Sequence, residues 1–119
     1  MMTGMVHSLT RREIFQRMLV LRQEGKLYDL ANPVQDEVFT GCVDRFADIA
    51  FRLRGCRKVL YVGSGHGLLL AVLDELGHEC YGVDFTDQTE HYPEIYRNRP
   101  IHFQVSNAEV DPLPFADGT

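Results

Sequence analysis

Residues Val59-Leu60-Tyr61-Val62 run straight into Gly63-Ser64-Gly65-His66-Gly67, and an apolar, helix-like run follows at once. A β-prone run, glycines at alternate positions and then helical periodicity leave little choice of local fold. They make a strand, a tight turn and a helix start. That arrangement lets backbone press against a nucleotide-like ligand at a helix N-terminus. Gly63 and Gly65 supply backbone angles closed to other residues and carry no Cβ to block approach. Asp84 ends the next apolar run, 21 residues past Gly63. An acid about 20 residues on is what takes ribose hydroxyls in a βαβ unit.

The rest of the chain fits around this unit. Thr10-Arg11-Arg12-Glu13 reads as a capping box, and Ile14, Phe15, Met18 and Leu19 follow as an apolar stripe. Gly25 is placed to stop that helix. Asn32-Pro33 opens a second helix, with Asn32 as N-cap, Pro33 in the first helical position and Gln35 where a capping box wants Glu or Gln. Val34, Val38, Cys42, Phe46, Ile49 and Leu53 recur at steps of three or four, and Gly55 reads as the C-cap. Tyr28-Asp29 reads as a loop joining the two helices rather than as a lid. Beyond these helices the spacing predicts strands at Lys58–Val62, Glu79–Asp84 and Ile101–Val105, and a helix from Gly67 to Leu76. Between Phe85 and Arg99, with Pro93 inside and Pro100 beyond, there is room for a short helix at most.

Alternating strands and helices imply a parallel sheet with right-handed crossovers. The expected fold is therefore α/β: a Rossmann-like parallel sheet, represented by its first three strands, with helices on both faces and two helices ahead of it. The expected division is a helical segment at 1–57 and the sheet-bearing segment at 58–119.

The net charge of −5 argues mildly against non-specific nucleic-acid binding, which favours a basic face, so no nucleic-acid partner is expected. No apolar run approaches the ~20 residues that span a bilayer, and no secretory pattern is read at Met1 to Thr10, so no membrane partner is expected. Cys42, Cys56 and Cys80 are scattered and odd in number. They read as small apolar fillers in a reducing compartment, and the expected location is the cytoplasm. His7, His66, His78, His91 and His102 show no metal-ligand spacing. His66 reads as a spacer between glycines.

The glycine spacing narrows the ligand. The dinucleotide fingerprint is Gly-x-Gly-x-x-Gly, and its third glycine position, counted from Gly63, is Leu68. The third glycine is instead Gly67. Gly-x-Gly-x-Gly followed by a ribose acid resembles motif one of the class I S-adenosylmethionine-dependent methyltransferases. Val105-Ser106-Asn107-Ala108-Glu109, then Leu113-Pro114-Phe115 and Asp117-Gly118, resembles a later signature of the same family. The likeness covers Lys58 to Thr119 and is closest to the family's broad small-molecule branch.

The resemblance implies the following roles. Gly63, Ser64, Gly65 and Gly67 form the turn under the methionine and ribose of S-adenosylmethionine. Asp84 holds the ribose hydroxyls, with Phe85 beside the adenine. Asn107, in place of the family's usual Asp, accepts from the adenine amino group, and the Ala108 amide faces adenine N1. The implied second substrate is a small-molecule methyl acceptor. No residue is assigned as a catalytic base and no metal is expected. Tyr61 stands where the family often has an acid. Either its hydroxyl replaces that acid, or affinity drops, or the site is degenerate.

A complete domain of this class has more strands than the three read here. The expectation is that the chain is the first half of a longer enzyme, or that a homodimer completes its sheet. Two other readings stand beside the methyltransferase. One is a nicotinamide-dependent oxidoreductase, against which Leu68 speaks. The other is a non-catalytic half-domain that serves as an interaction module.

Overall fold

The computed structural model describes residues 8–97 and 99–106. The chain divides into two units, with the boundary between Gly55 and Cys56.

The first unit is a helix pair, α1 (Arg11–Gln23) and α2 (Pro33–Arg52). The Thr10 hydroxyl accepts the Glu13 amide at 3.1 Å, and the Glu13 carboxylate accepts the Thr10 amide at 2.9 Å, so the expected capping box is formed. The bond from the Thr10 amide, more than the nearby Thr10 hydroxyl, holds the Glu13 carboxyl below its usual range. The buried stripe of α1 is Ile14, Met18 and Leu21. Phe15 is only half-buried and Leu19 is 40% exposed, so the stripe runs slightly to one side of the one expected.

On α2, Asn32 accepts the amides of Val34 and Gln35, each at 3.1 Å. Here too the stripe is rotated. Gln35, Phe39, Phe46, Ala47 and Ala50 are buried, whereas Val34 is 69% exposed. Of the six residues expected to form it, Phe46 alone is buried. Asp36 borders this buried side: Arg22 grips its carboxylate with two bonds of 2.8 and 3.0 Å, and the Tyr28 hydroxyl donates to it at 2.6 Å. That cluster ties this side of α2 to the end of α1 and to the joining loop. The Arg22 bonds hold the Asp36 carboxyl down, and burial, more than the Asp36 bond, pushes the Tyr28 hydroxyl up to about 12. Tyr28 thus anchors the joining loop. The helix ends at Arg52 with Leu53 as its cap, short of Gly55.

The second unit holds β1 (Lys58–Val62), α3 (Leu68–Glu75), β2 (Glu79–Asp84), α4 (Gln88–His91), α5 (Pro93–Tyr96) and β3 (His102–Val105). All three strands are parallel in the order β1-β2-β3. Val62 pairs with Val83, and Asp84 with Val105, so the carboxyl ends of all three strands reach one edge. The expected α/β parallel sheet is present. The helix is one residue shorter at each end than expected, because Gly67 and Leu76 serve as its caps. Leu68 to Leu73 are all buried, as in a helix packed on most sides. The crossover after β2 contains two single-turn helices where one at most was expected. Asp87 caps the first by accepting the Thr89 amide at 3.0 Å, and Pro93 begins the second. β3 starts one residue late, at His102.

Gly82 sits at the centre of β2, where a Cβ would lie 3.0 Å from both Leu70 Cδ1 and Ser64 Oγ. The helix and the turn therefore lie directly on the strand. Arg99 donates to Asp74 at 2.9 Å and Glu75 at 2.8 Å, tying the approach to β3 to the end of α3. No helix among the described residues is long and apolar enough to cross a membrane.

His78 links the start of β2 to the chain ahead of β1. Its Nδ1–H donates to the Cys56 carbonyl at 2.6 Å, which leaves Nε2 without a proton, buried and without a partner among the described residues. Burial lowers the His78 pKa, against a smaller opposing effect of the Cys56 carbonyl. A folded value below the unfolded one, near 6.5, means that the unfolded chain binds the extra proton. Stability is therefore full above that value and is lost as pH falls through it towards the folded pKa. Thermal melts should show the chain less stable at pH 5 than at pH 7.5. His78→Asn, which keeps a donor to Cys56 and cannot take up a proton, should flatten that slope; an unchanged slope would show that His78 plays no part in it.

Candidate functional site

The turn between β1 and α3 extends the ladder before leaving it. The Gly63 and Ser64 amides both donate to the Val83 carbonyl, at 2.7 and 3.1 Å. Gly63, Gly65 and Gly67 then take φ of 74°, 55° and 79°, all in the left-handed region. Gly63 and Gly65 have open space where a Cβ would stand, as a backbone cradle for a ligand requires. Gly67 is different, because a Cβ there would lie 2.8 Å from the Tyr96 ring.

Asp84 meets the turn from the next strand. Its Oδ2 accepts the Gly65 amide at 3.0 Å and its Oδ1 accepts the Phe85 amide at 2.8 Å. A carboxylate offers about four lone-pair sites, so acceptor capacity remains on each oxygen. The turn and the acid, 19 residues apart, are one hydrogen-bonded unit. The Phe85 ring stands beside them, 74% exposed. The Ser106 amide donates to the Asp84 carbonyl at 2.8 Å, which brings the end of β3 to the same place. Asn107 and Ala108 lie outside the described residues.

Ser64 faces inward and is 2% exposed. Its side chain fills the space over Gly82, so only its backbone is available to a ligand. Tyr61 pairs in register with Gly82 and is half-buried. His66 is more than a spacer. Its Nδ1 accepts the Leu68 amide at 3.0 Å, capping α3 where Gly67 has no side chain to do so. Burial lowers its pKa, which favours the neutral ring that this bond needs.

Sequence reasoning passed over Tyr96. It is 4% exposed, and its hydroxyl lies 2.9 Å from Ser64 Oγ and donates to the Gly65 carbonyl at 2.8 Å. The available signal was Tyr92, Ile95 and Tyr96 at helical spacing around Pro93. Among the described residues, no group of three or more His, Cys, Asp or Glu is placed to hold a metal ion.

A parallel βαβ unit with a glycine cradle and an acid at the carboxyl edge of its second strand is the architecture of a nucleotide-type ligand site. The model of the methyltransferase domain family matches residues 60–119. The chain belongs to that family, within the class I S-adenosylmethionine-dependent methyltransferases. No curated protein and no solved structure matches it.

Proposed function

We propose that the chain binds S-adenosylmethionine at the glycine turn and serves methyl transfer to a small-molecule acceptor. One observation carries the reading: the Asp84 carboxylate is tied to the Gly65 amide beside an open glycine cradle, at the edge where parallel sheets take ligands. The residues fit the cofactor. Gly63 and Gly65 leave room for it, and Asp84 retains acceptor capacity for two ribose hydroxyls. Phe85 offers an exposed ring for the adenine. Gly67 and the Ser64 backbone complete the turn, and Asn107 and Ala108 are proposed for the adenine edge.

When bound, the cofactor supplies a methyl group on a sulfonium, which needs no activation by the protein. The work of the chain is then to bind and orient, which carries much of the rate in such a transfer. Asp84 fixes the ribose against the turn, and the buried base of the turn keeps the cradle from collapsing. A general base is needed only for an acceptor that must lose a proton. The free thiols Cys42, Cys56 and Cys80 fit a cytoplasmic setting.

The nicotinamide reading is less well supported. In the dinucleotide fingerprint the third glycine lets helix and strand pack closely. Here that position is Leu68, fully buried at the start of α3. Calorimetric titration of the chain with S-adenosylhomocysteine, with NADH in parallel, decides between the two. Binding of the adenosyl ligand alone is expected. Binding of NADH alone would overturn the proposal.

A further inference from the structure

We infer that Tyr96 is a positioning residue for the ligand-binding turn, setting the conformation of Gly65 through its hydroxyl. What the turn holds rests on the cofactor reading given above; how the turn is held does not.

The geometry is specific. The Gly65 carbonyl can only accept, so the single hydroxyl proton of Tyr96 goes to it, at 2.8 Å. Ser64 Oγ, 2.9 Å away, must then donate to Tyr96. A chain of two hydrogen bonds therefore runs from Ser64 through Tyr96 to Gly65 beneath the turn. Gly65 is thereby pinned at both of its polar groups, its amide by Asp84 and its carbonyl by Tyr96. A glycine in the left-handed region has no side chain to hold it there and otherwise samples many conformations. Pinning both groups removes that freedom and aims the Gly65 amide at Asp84.

The Tyr96 ring is itself fixed. It lies against the missing Cβ of Gly67 and meets Phe103 edge-on, with centroids 5.1 Å apart. Burial, the largest influence, pushes its hydroxyl up to about 12, so at neutral pH it remains a donor. Its place on the single-turn α5 thus couples the crossover between β2 and β3 to the loop that follows β1.

Tyr96→Phe in the full chain tests this, since it keeps the ring and removes only the hydroxyl. Two quantities are read: hydrogen exchange of the Gly65 amide against the ladder amides of β1 and β2, and the affinity for S-adenosylhomocysteine. Gly65 should exchange about tenfold faster while the ladder keeps its rates, and affinity should fall about tenfold, the effect of one hydrogen bond. Unchanged Gly65 exchange overturns the inference. So does a uniform acceleration of Gly65 and the ladder together, which would mean a merely structural role. If the unmutated chain binds no adenosyl ligand, the cofactor reading fails, and Gly65 exchange alone decides the role of Tyr96. If the variant does not fold, the unmutated chain still gives the answer. A slowly exchanging Tyr96 hydroxyl proton near Gly65 supports the inference, and a hydroxyl in rapid exchange with water overturns it.

Discussion

Asp84→Ala should leave the chain without measurable affinity for S-adenosylhomocysteine at concentrations that saturate the unmutated protein. Two contributions are lost together. On the proposed reading the carboxylate accepts from both ribose hydroxyls, and a hydrogen bond to a charged group contributes about 1.5–3 kcal/mol. Two of them amount to a loss of at least ~100-fold in affinity. The alanine also releases the Gly65 amide, which Asp84 holds at 3.0 Å, so the cradle loses one of its two tethers. Asp84→Asn separates the contributions. Its remaining carbonyl oxygen can keep one acceptor role, so an intermediate affinity is expected. Titration calorimetry of the three proteins is the measurement, and an Asp84→Ala chain that binds as tightly as the parent would remove Asp84 from the site.

Gly67→Ala should be the most destabilising single methyl that can be added to the turn. At φ 79° an alanine is strained, which costs roughly 1–2 kcal/mol. Its Cβ would also stand 2.8 Å from Tyr96 Cζ and 2.9 Å from Cε2. The ring is packed on Phe103 and cannot easily withdraw, and overpacking of this kind costs about 1–3 kcal/mol more. Together these remove a large share of the ~5–15 kcal/mol that holds a domain folded. Gly63→Ala and Gly65→Ala face the same backbone strain in open space, so each should cost only ~1–2 kcal/mol. Thermal melts of the three variants test the contrast. Equal shifts at all three positions would mean that Tyr96 yields freely.

The glycine turn and the strands around it were legible because their determinants are local. A φ well above zero strongly favours glycine, and an apolar run ending in an acid at the expected distance marks the second strand. Gly65 accordingly meets Asp84, and Gly63 bonds to Val83 just before it. The helix faces were less legible. On α2 the residues Val34, Val38 and Cys42 recur with the right period, yet the buried side is Gln35, Phe39 and Phe46. The period of a stripe says little about its phase when apolar residues lie on two neighbouring sides of the helix, and here the side with Phe39, Phe46 and Ala50 is the one buried. Tyr96 was hidden for a different reason. Its partners, Ser64 and Gly65, are 32 and 31 residues away, on the far side of a strand and a helix, and no local pattern records such a meeting. The inward position of the Ser64 side chain is equally absent from any local pattern, since it depends on the vacancy at Gly82.

The placement of Cys80 has a consequence for the chemistry of the folded chain as a whole. Its thiol is 1% exposed on the strand beneath α3, and burial, reinforced by the Asp74 charge, pushes it up to about 12. Electrophiles and oxidants react with thiolates, so this sulfur is inert while helix and strand stay together. Cys56, by contrast, is exposed. The two cysteines therefore react by different routes. One reacts directly with the reagent, the other through the states in which the sheet has opened, and the chain carries within itself a gauge of its own unfolding.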